Sequence, residues 1–133
     1  MNKEDFVTYE QAISLRELGF DEECTHYFIQ GNQGLQEVQP RHFGMYYISY
    51  DFNYDDSNEL FEELISAPTL AQVQKWFRKN KPIHVEPNII NENTFRYSIK
   101  SVPYSLYRIT EDIFNSYEEA LLSGITECIK FLK

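Results

Sequence analysis

The chain is poor in cysteine, with two among 133 residues, Cys24 and Cys128. Small secreted domains held by disulfides usually carry more, so we expect two free thiols and a cytoplasmic location. The opening residues 1–5 lack the apolar stretch of a secretory signal, which favours the same compartment. A single Cys24–Cys128 disulfide remains compatible with the sequence alone.

Long apolar runs and glycine-rich motifs are also missing. No segment approaches the roughly 20 apolar residues that a membrane-spanning helix requires. The five glycines form neither a phosphate-binding loop nor the Gly-x-Ser-x-Gly turn of a serine hydrolase. A zinc site assembled from Cys24, His26, His42 and His84 would lack the closely spaced ligand pairs of structural zinc sites. The sequence therefore indicates no cofactor and gives no catalytic residue.

Basic residues are scarce, with 12 against 21 acidic residues and a net charge of −9. Residues 21–63 hold ten acidic residues and one arginine, whereas residues 64–110 hold seven basic and two acidic residues. The two segments therefore have net charges of −9 and +5. The acidic total argues against direct binding of a nucleic-acid backbone.

What the chain has in abundance is aromatic residues, with ten tyrosines and ten phenylalanines. A tyrosine ring packs against apolar neighbours while its hydroxyl needs a polar partner, so tyrosines suit half-buried sheets and interfaces. Length and composition predict one domain with one hydrophobic core.

Three helix starts carry a capping-box pattern, in which a Thr or Ser hydroxyl and a Glu or Gln side chain satisfy exposed amides reciprocally. They begin at Thr8, Thr69 and Ser116. The apolar spacing predicts helices near residues 9–18, 70–80 and 117–131.

The helices are predicted to pack through apolar faces. Gly19 suits the left-handed position after the first helix, which would let Phe20 pack on Leu15. On the second helix, Trp76 or Phe77 is predicted to pack against the sheet. The apolar face of the third helix consists of Leu121, Ile125, Cys128 and Leu132.

In residues 94–100, apolar and polar side chains alternate, which predicts a strand with one face on a core and one in water. The apolar set is Phe95, Tyr97 and Ile99, and the polar set is Arg96, Ser98 and Lys100.

Strand-like segments rich in aromatic and β-branched residues lie between the helices. Residues 31–42 are predicted to form a turn or hairpin connection, and residues 59–66 a short helix. The predicted fold is α+β, a single domain spanning residues 1–133, with about three helices on one face of an antiparallel sheet. The candidate strands are Thr25–Gln30, Phe43–Phe52, Ile83–Glu86, Thr94–Lys100 and Tyr104–Thr110.

Three strings carry a family resemblance. They are Tyr9…Leu15…Leu18-Gly19-Phe20, then Ala67-Pro68-Thr69…Gln72-Val73…Trp76-Phe77-Arg78 with Ile83-His84-Val85, and Asn115-Ser116-Tyr117-Glu118-Glu119-Ala120. Together they resemble small uncharacterised proteins of Bacteroidetes genomes and their phages or prophages, over most of the chain except roughly residues 31–66. The resemblance implies an accessory protein of a phage or mobile element. It implies no activity, ligand or catalytic residue.

The acidic segment 51–62 has the spacing of a calcium-binding loop. Calcium takes six to eight oxygen ligands, and this loop type supplies them from positions 1, 3, 5, 7, 9 and 12. Asp56 stands where such loops have glycine, so an acidic turn leading into a helix is the competing interpretation. The candidate ligands are Asp51, Asn53, Asp55, Ser57, Glu59 and Glu62.

The order of elements from residue 70 onward, one helix, three strands and a second helix, resembles that of double-stranded-RNA-binding domains. That family carries basic residues at the start of its last helix, where this chain has Ser116-Tyr117-Glu118-Glu119. Acidic residues there would repel phosphates, so the order of elements does not indicate RNA binding.

The function that the sequence favours is a non-enzymatic protein-protein interaction module, acting on a partner protein or by self-association. In one variant the acidic surface imitates DNA. The alternatives are a calcium-binding module that uses the Asp51–Glu62 loop, and an enzyme of unknown type. Because aromatic residues are enriched at interfaces, the predicted contact residues are Tyr46, Tyr50, Tyr54, Asp55, Asp56, Glu59 and Glu63.

Overall fold

The computed structural model describes residues 2–37 and 64–133. Within these ranges the chain forms a 3₁₀ turn (Lys3–Asp5), three α-helices and six strands, which confirms the predicted α+β class. It divides into two compact units, which we call the N-terminal unit (residues 6–68) and the C-terminal unit (residues 1–5 and 69–133).

The helices begin where the capping patterns predict. They are α1 (Tyr9–Glu17), α2 (Leu70–Asn80) and α3 (Tyr117–Leu132). The Thr8, Thr69 and Ser116 hydroxyls each accept a hydrogen bond from the backbone N–H three residues later. At α1 the Gln11 side chain also accepts from the Thr8 N–H, which completes the capping box.

Helix α1 ends at a glycine in the left-handed conformation. Gly19 has a φ of 96°, its N–H donates to the Arg16 carbonyl, and the Phe20 N–H donates to the Leu15 carbonyl. This is a Schellman motif, which needs a residue without a Cβ at the turn. It returns the buried Phe20 toward Leu15, as the sequence predicts.

The N-terminal unit contains α1 and a three-stranded antiparallel sheet. Its strands are β1 (His26–Ile29), β2 (Asn32–Glu37) and β3 (Leu64–Ser66), in the order β2-β1-β3. The Tyr9 hydroxyl accepts a hydrogen bond from the Gly31 N–H at 2.7 Å. The Tyr9 ring meets Phe28 edge to face, with ring centroids 5.6 Å apart.

The C-terminal unit contains α2, α3 and a second antiparallel sheet. Its strands are β4 (His84–Asn91), β5 (Thr94–Ser101) and β6 (Leu106–Ile109), in the order β4-β5-β6. The core of the unit includes Trp76 and Phe77 of α2, of which the sequence predicts one or the other. It also holds the apolar stripe of α3, which consists of Ala120, Leu121, Ile125, Cys128 and Ile129.

Several boundaries differ from the sequence predictions. Residues 64–66, assigned to a short helix, form β3, and residues 32–37, assigned to a turn or hairpin connection, form β2. The six described strands belong to two sheets, whereas one was expected. Strand β4 continues past Glu86 to Asn91, because its antiparallel pairing with β5 extends to the tip of the hairpin. The predicted strand Phe43–Phe52 and residues 59–63 lie outside the described residues.

Candidate functional site

The residues selected from the sequence as a calcium loop or contact surface all lie between residues 46 and 63, outside the described residues. The calcium, contact-surface and DNA-imitation hypotheses therefore stay predictions. Among the residues that the structure describes, no three His, Cys, Asp or Glu side chains come together as a metal site.

Both cysteines are buried, and neither forms a disulfide. Burial raises the pKa of each thiol to about 12, and the nearby carboxylates of Glu22 and Glu127 act in the same direction on Cys24 and Cys128 respectively. Because a thiolate is the reactive form of cysteine, the raised pKa values disfavour a nucleophilic role. The free thiols expected from the sequence are confirmed.

We expect both native thiols to resist a water-soluble disulfide reagent at mildly alkaline pH, because they are buried and protonated. Denaturation under non-reducing conditions should release two reactive thiols per chain. Comparing the reagent's absorbance with and without denaturant measures both quantities. Rapid reaction of one thiol in the native protein would contradict its burial.

The sheet of the C-terminal unit has two chemically different faces. Along β5 the buried residues Tyr97, Ile99 and Ser101 alternate with half-buried or exposed ones, as the sequence pattern predicts. Helix α3 lies over the buried face, since a Cβ at Gly124 would be 2.6 Å from Val85 Cγ2 and 3.2 Å from the Tyr97 ring. No described helix of this unit covers the opposite face, which we call the open face.

Strand register places the open-face residues in cross-strand rows. One row joins His84, Lys100 and Tyr107, and the next joins Glu86, Ser98 and Ile109. Because side chains alternate between the two faces of a strand, these rows lie on the side opposite the helices. With the Asn88–Arg96 pair, the open face consists of His84, Glu86, Asn88, Arg96, Ser98, Lys100, Tyr107 and Ile109.

Two apolar side chains on β6 project from the open face. Tyr107 is 67% exposed and Ile109 is 50% exposed. They are two residues apart on one strand, so their side chains are neighbours on the same face. Lys100 contributes its ammonium group over the Tyr107 ring, 5.9 Å from the ring centroid. The result is an exposed patch that combines an aromatic ring, an aliphatic side chain and a cation.

The cations of the open face lack acidic partners. Neither Arg96 nor Lys100 makes an ion pair within the described residues. The Nε atom of Arg96 is buried and has no hydrogen-bond partner. Arg108, on the other side of β6, instead lies 3.6 Å from a Glu127 carboxylate oxygen of α3. The helix-facing Arg108 is therefore paired within the unit, whereas Arg96 on the open face has no ion-pair partner among the described residues.

A groove of about 400 Å³ runs along one end of the open face. His84, Glu86, Ser98 and Lys100 contribute to its lining. Val102, at the turn after β5, also lines it and is 80% exposed. The groove therefore places apolar and cationic groups side by side, with Glu86 as the one carboxylate among its lining residues.

A second cavity, of about 360 Å³, lies where α2 and α3 begin. Its lining includes Tyr117 and the carboxylate-bearing residues Asp5 and Glu118.

The element order α2-β4-β5-β6-α3 confirms the predicted helix, three strands and helix. The predicted cap of α3 is also present, because the Ser116 hydroxyl accepts a hydrogen bond from the Glu119 N–H. Glu118 and Glu119 make the first turn of this helix acidic. Carboxylates at this position repel phosphates, so this cavity does not suit a nucleic-acid backbone.

The sequence pattern indicated which residues of β5 face away from the core, but it did not identify the open face as a site. The sequence places Tyr107 and Ile109 on one strand but does not show which residues lie beside them, and it does not distinguish Arg96 and Lys100 from ordinary charges on a strand surface. The available signal was the alternation of Arg96, Ser98 and Lys100 with apolar residues. Only the register with β4 and β6 shows which side chains adjoin them.

None of the helices in the described parts of the chain is long and apolar enough to cross a membrane. Comparison of the chain with protein-family models, curated proteins and solved structures gave no significant match.

Proposed function

We propose that the chain is a non-enzymatic protein-protein interaction module, an accessory protein of a phage or mobile element, that binds its partner through the open face of the C-terminal unit. The observation that carries the proposal is the exposure of Tyr107 and Ile109, side by side on a sheet face that no described helix of this unit covers. The phage or mobile-element origin rests on the sequence resemblance.

The composition of the open face supports a protein partner. Aromatic residues and arginine are enriched at protein interfaces, and the residues that dominate binding energy are most often Trp, Tyr and Arg. Tyr107 and Arg96 supply two of these residue types on neighbouring strands. Removing Tyr107 and Ile109 from water on binding would contribute favourable free energy, because about 25 cal/mol is gained per Å² of apolar surface buried.

The test is affinity capture from a lysate of Bacteroidetes cells, with the tagged wild-type protein and two double variants. We expect one stoichiometric protein to be retained by the wild type and lost by Tyr107→Ser/Ile109→Ser. The matched control is Ile89→Ser/Ile113→Ser, which removes two isoleucines that are 68% and 57% exposed outside the open face. The control should retain the partner.

Quantitative mass spectrometry of the captured proteins gives the measurement. Retention by the control together with loss by the open-face variant supports the proposal. If no protein depends on Tyr107 and Ile109, the proposed function is wrong. Melting curves of both variants establish that the comparison is made between folded proteins.

A further inference from the structure

We propose that the partner presents an acidic, extended peptide segment to the open face, with carboxylates that pair with Arg96 and Lys100. The inference rests on the proposed function and adds the chemistry of the partner. Its basis is the charge of the open face, which holds two cations without an acidic partner among the described residues, next to exposed apolar side chains.

Arg96 gives the clearest indication of an anionic ligand. Its side chain is half-buried, its Nε atom is buried, and that N–H has no acceptor. Because Nε itself is enclosed, a ligand would meet the terminal N–H groups of the guanidinium, which are not among the buried atoms. Their planar arrangement matches the two oxygens of a carboxylate, so a bound Asp or Glu side chain would pair with them.

Lys100 provides the second cationic position. Its ammonium group contacts the face of the Tyr107 ring, which leaves N–H donors for another acceptor. The Glu86 carboxylate also lines the groove but makes no ion pair with Lys100. Lys100 therefore forms no ion pair with a described carboxylate, and its charge is available to a carboxylate of the ligand.

The spacing of the two cations fits an extended peptide. Arg96 and Lys100 are four residues apart on one strand, which corresponds to roughly 13 Å. A peptide lying along β5 in an extended conformation would present two acidic side chains at the same four-residue interval. The side chain midway between them would lie over Ser98, beside Ile109, where an apolar residue fits. The expected recognition pattern is acidic-x-apolar-x-acidic.

A peptide suits this face better than a nucleic-acid strand does. Single-stranded nucleic acids bind to grooves with an extended positive field and successive aromatic platforms. The open face has one aromatic ring, Tyr107, and the whole chain carries a net charge of −9. The open face therefore offers a nucleic-acid strand neither successive stacking platforms nor an extended positive field.

The experiment measures binding of a fluorescein-labelled random copolymer of glutamate and tyrosine by fluorescence anisotropy at low ionic strength. Because its sequence is random, the copolymer presents pairs of glutamates at every spacing, including the four-residue interval, and its tyrosines supply the apolar ring between them. We expect Arg96→Gln/Lys100→Gln to weaken binding by about tenfold or more, since a hydrogen bond to a charged group contributes about 1.5–3 kcal/mol. Lys100→Gln alone, at an exposed position, should weaken binding in the same direction.

The control is Lys75→Gln/Lys79→Gln, which removes the same charge from two exposed positions of α2. It should leave the affinity unchanged within about twofold, because exposed charges outside the site contribute little. Equal losses in both double variants would mean nonspecific attraction and would overturn the proposal. So would the absence of binding by the wild type, or displacement of the copolymer by oligouridylate at lower concentration than by unlabelled copolymer.

The two experiments separate this inference from the function on which it rests. A partner captured through Tyr107 and Ile109, combined with no binding of the copolymer, would leave the interaction function standing and reject an acidic ligand. The absence of any partner that depends on the open face would reject the function itself.

Discussion

Replacing Phe77 with alanine should lower the free energy of unfolding by about 3–5 kcal/mol. The Phe77 side chain is fully buried in the C-terminal unit, so its removal loses apolar burial and leaves a cavity. Because domains are typically stable by about 5–15 kcal/mol, this loss is a large part of the total. Alanine is a strong helix former, so the effect comes from packing and not from helix propensity.

Tryptophan fluorescence can measure the unfolding of the Phe77→Ala variant. Its single tryptophan, Trp76, is buried next to Phe77, with ring centroids 5.8 Å apart. Tryptophan emission during denaturant unfolding therefore reports on the environment of α2. The control is Phe131→Ala, which should cost about 1–2 kcal/mol, because this side chain is 44% exposed and its main aromatic contact is with Tyr104, at 5.4 Å between ring centroids. Equal midpoints for the two variants would contradict the packing of α2.

Gly124→Ala should destabilise the protein by about 1–3 kcal/mol, although alanine is normally the better helix residue by about 1 kcal/mol. The added Cβ would lie 2.6 Å from Val85 Cγ2, closer than nonbonded carbon atoms approach, and would make a tight contact of 3.2 Å with the Tyr97 ring. The close approach of α3 to the sheet therefore decides the sign of the effect. Denaturant unfolding of the variant gives the measurement.

A double-mutant cycle identifies the neighbour responsible. Val85→Ala removes the Cγ2 atom and should itself cost about 1 kcal/mol or more, because Val85 is fully buried. In that background the Gly124→Ala change should cost about 1 kcal/mol less than in the wild type, because the closest contact is gone. Ser123→Ala, on the same helix but only half-buried, serves as the control and should stay within about 0.5 kcal/mol. Strict additivity would contradict the contact.

Local chemistry in the sequence predicted the helices well. The hydroxyls of Thr8, Thr69 and Ser116 start α1, α2 and α3, and Gly19 ends α1, because capping involves only residues close in sequence. The alternation along β5 was predicted for a related reason. A strand with one buried face must repeat its apolar residues with period two.

Residues 64–66 show where local reasoning failed. Leu64, Ile65 and Ser66 follow a run of acidic and apolar residues that suits a helix, yet they pair with Tyr27, Phe28 and Ile29 of β1. So short a segment has little conformational preference of its own, and hydrogen bonding to a partner strand far away in sequence decides its structure. Strand β2 was missed for a different reason: it pairs with the adjacent β1 across the turn at residues 30–31, and its Asn32 and Gly34 are residue types depleted in strands.

By itself the sequence determined where α1, α2 and α3 lie, the α+β class and three of the four stripe residues predicted for α3, Leu121, Ile125 and Cys128, since these depend on capping and periodicity within one segment. Only the tertiary structure decided that the strands form two sheets and that Arg96, Lys100, Tyr107 and Ile109 share one face. Sheet register depends on hydrogen bonding between strands and on which face packs against the core. A slip of one residue would turn every side chain of the strand to the other face, and no single segment of sequence determines this. The same register turns Arg108 toward α3, where it pairs with Glu127, and turns Arg96 to the opposite side of the sheet, where no described residue forms an ion pair with it.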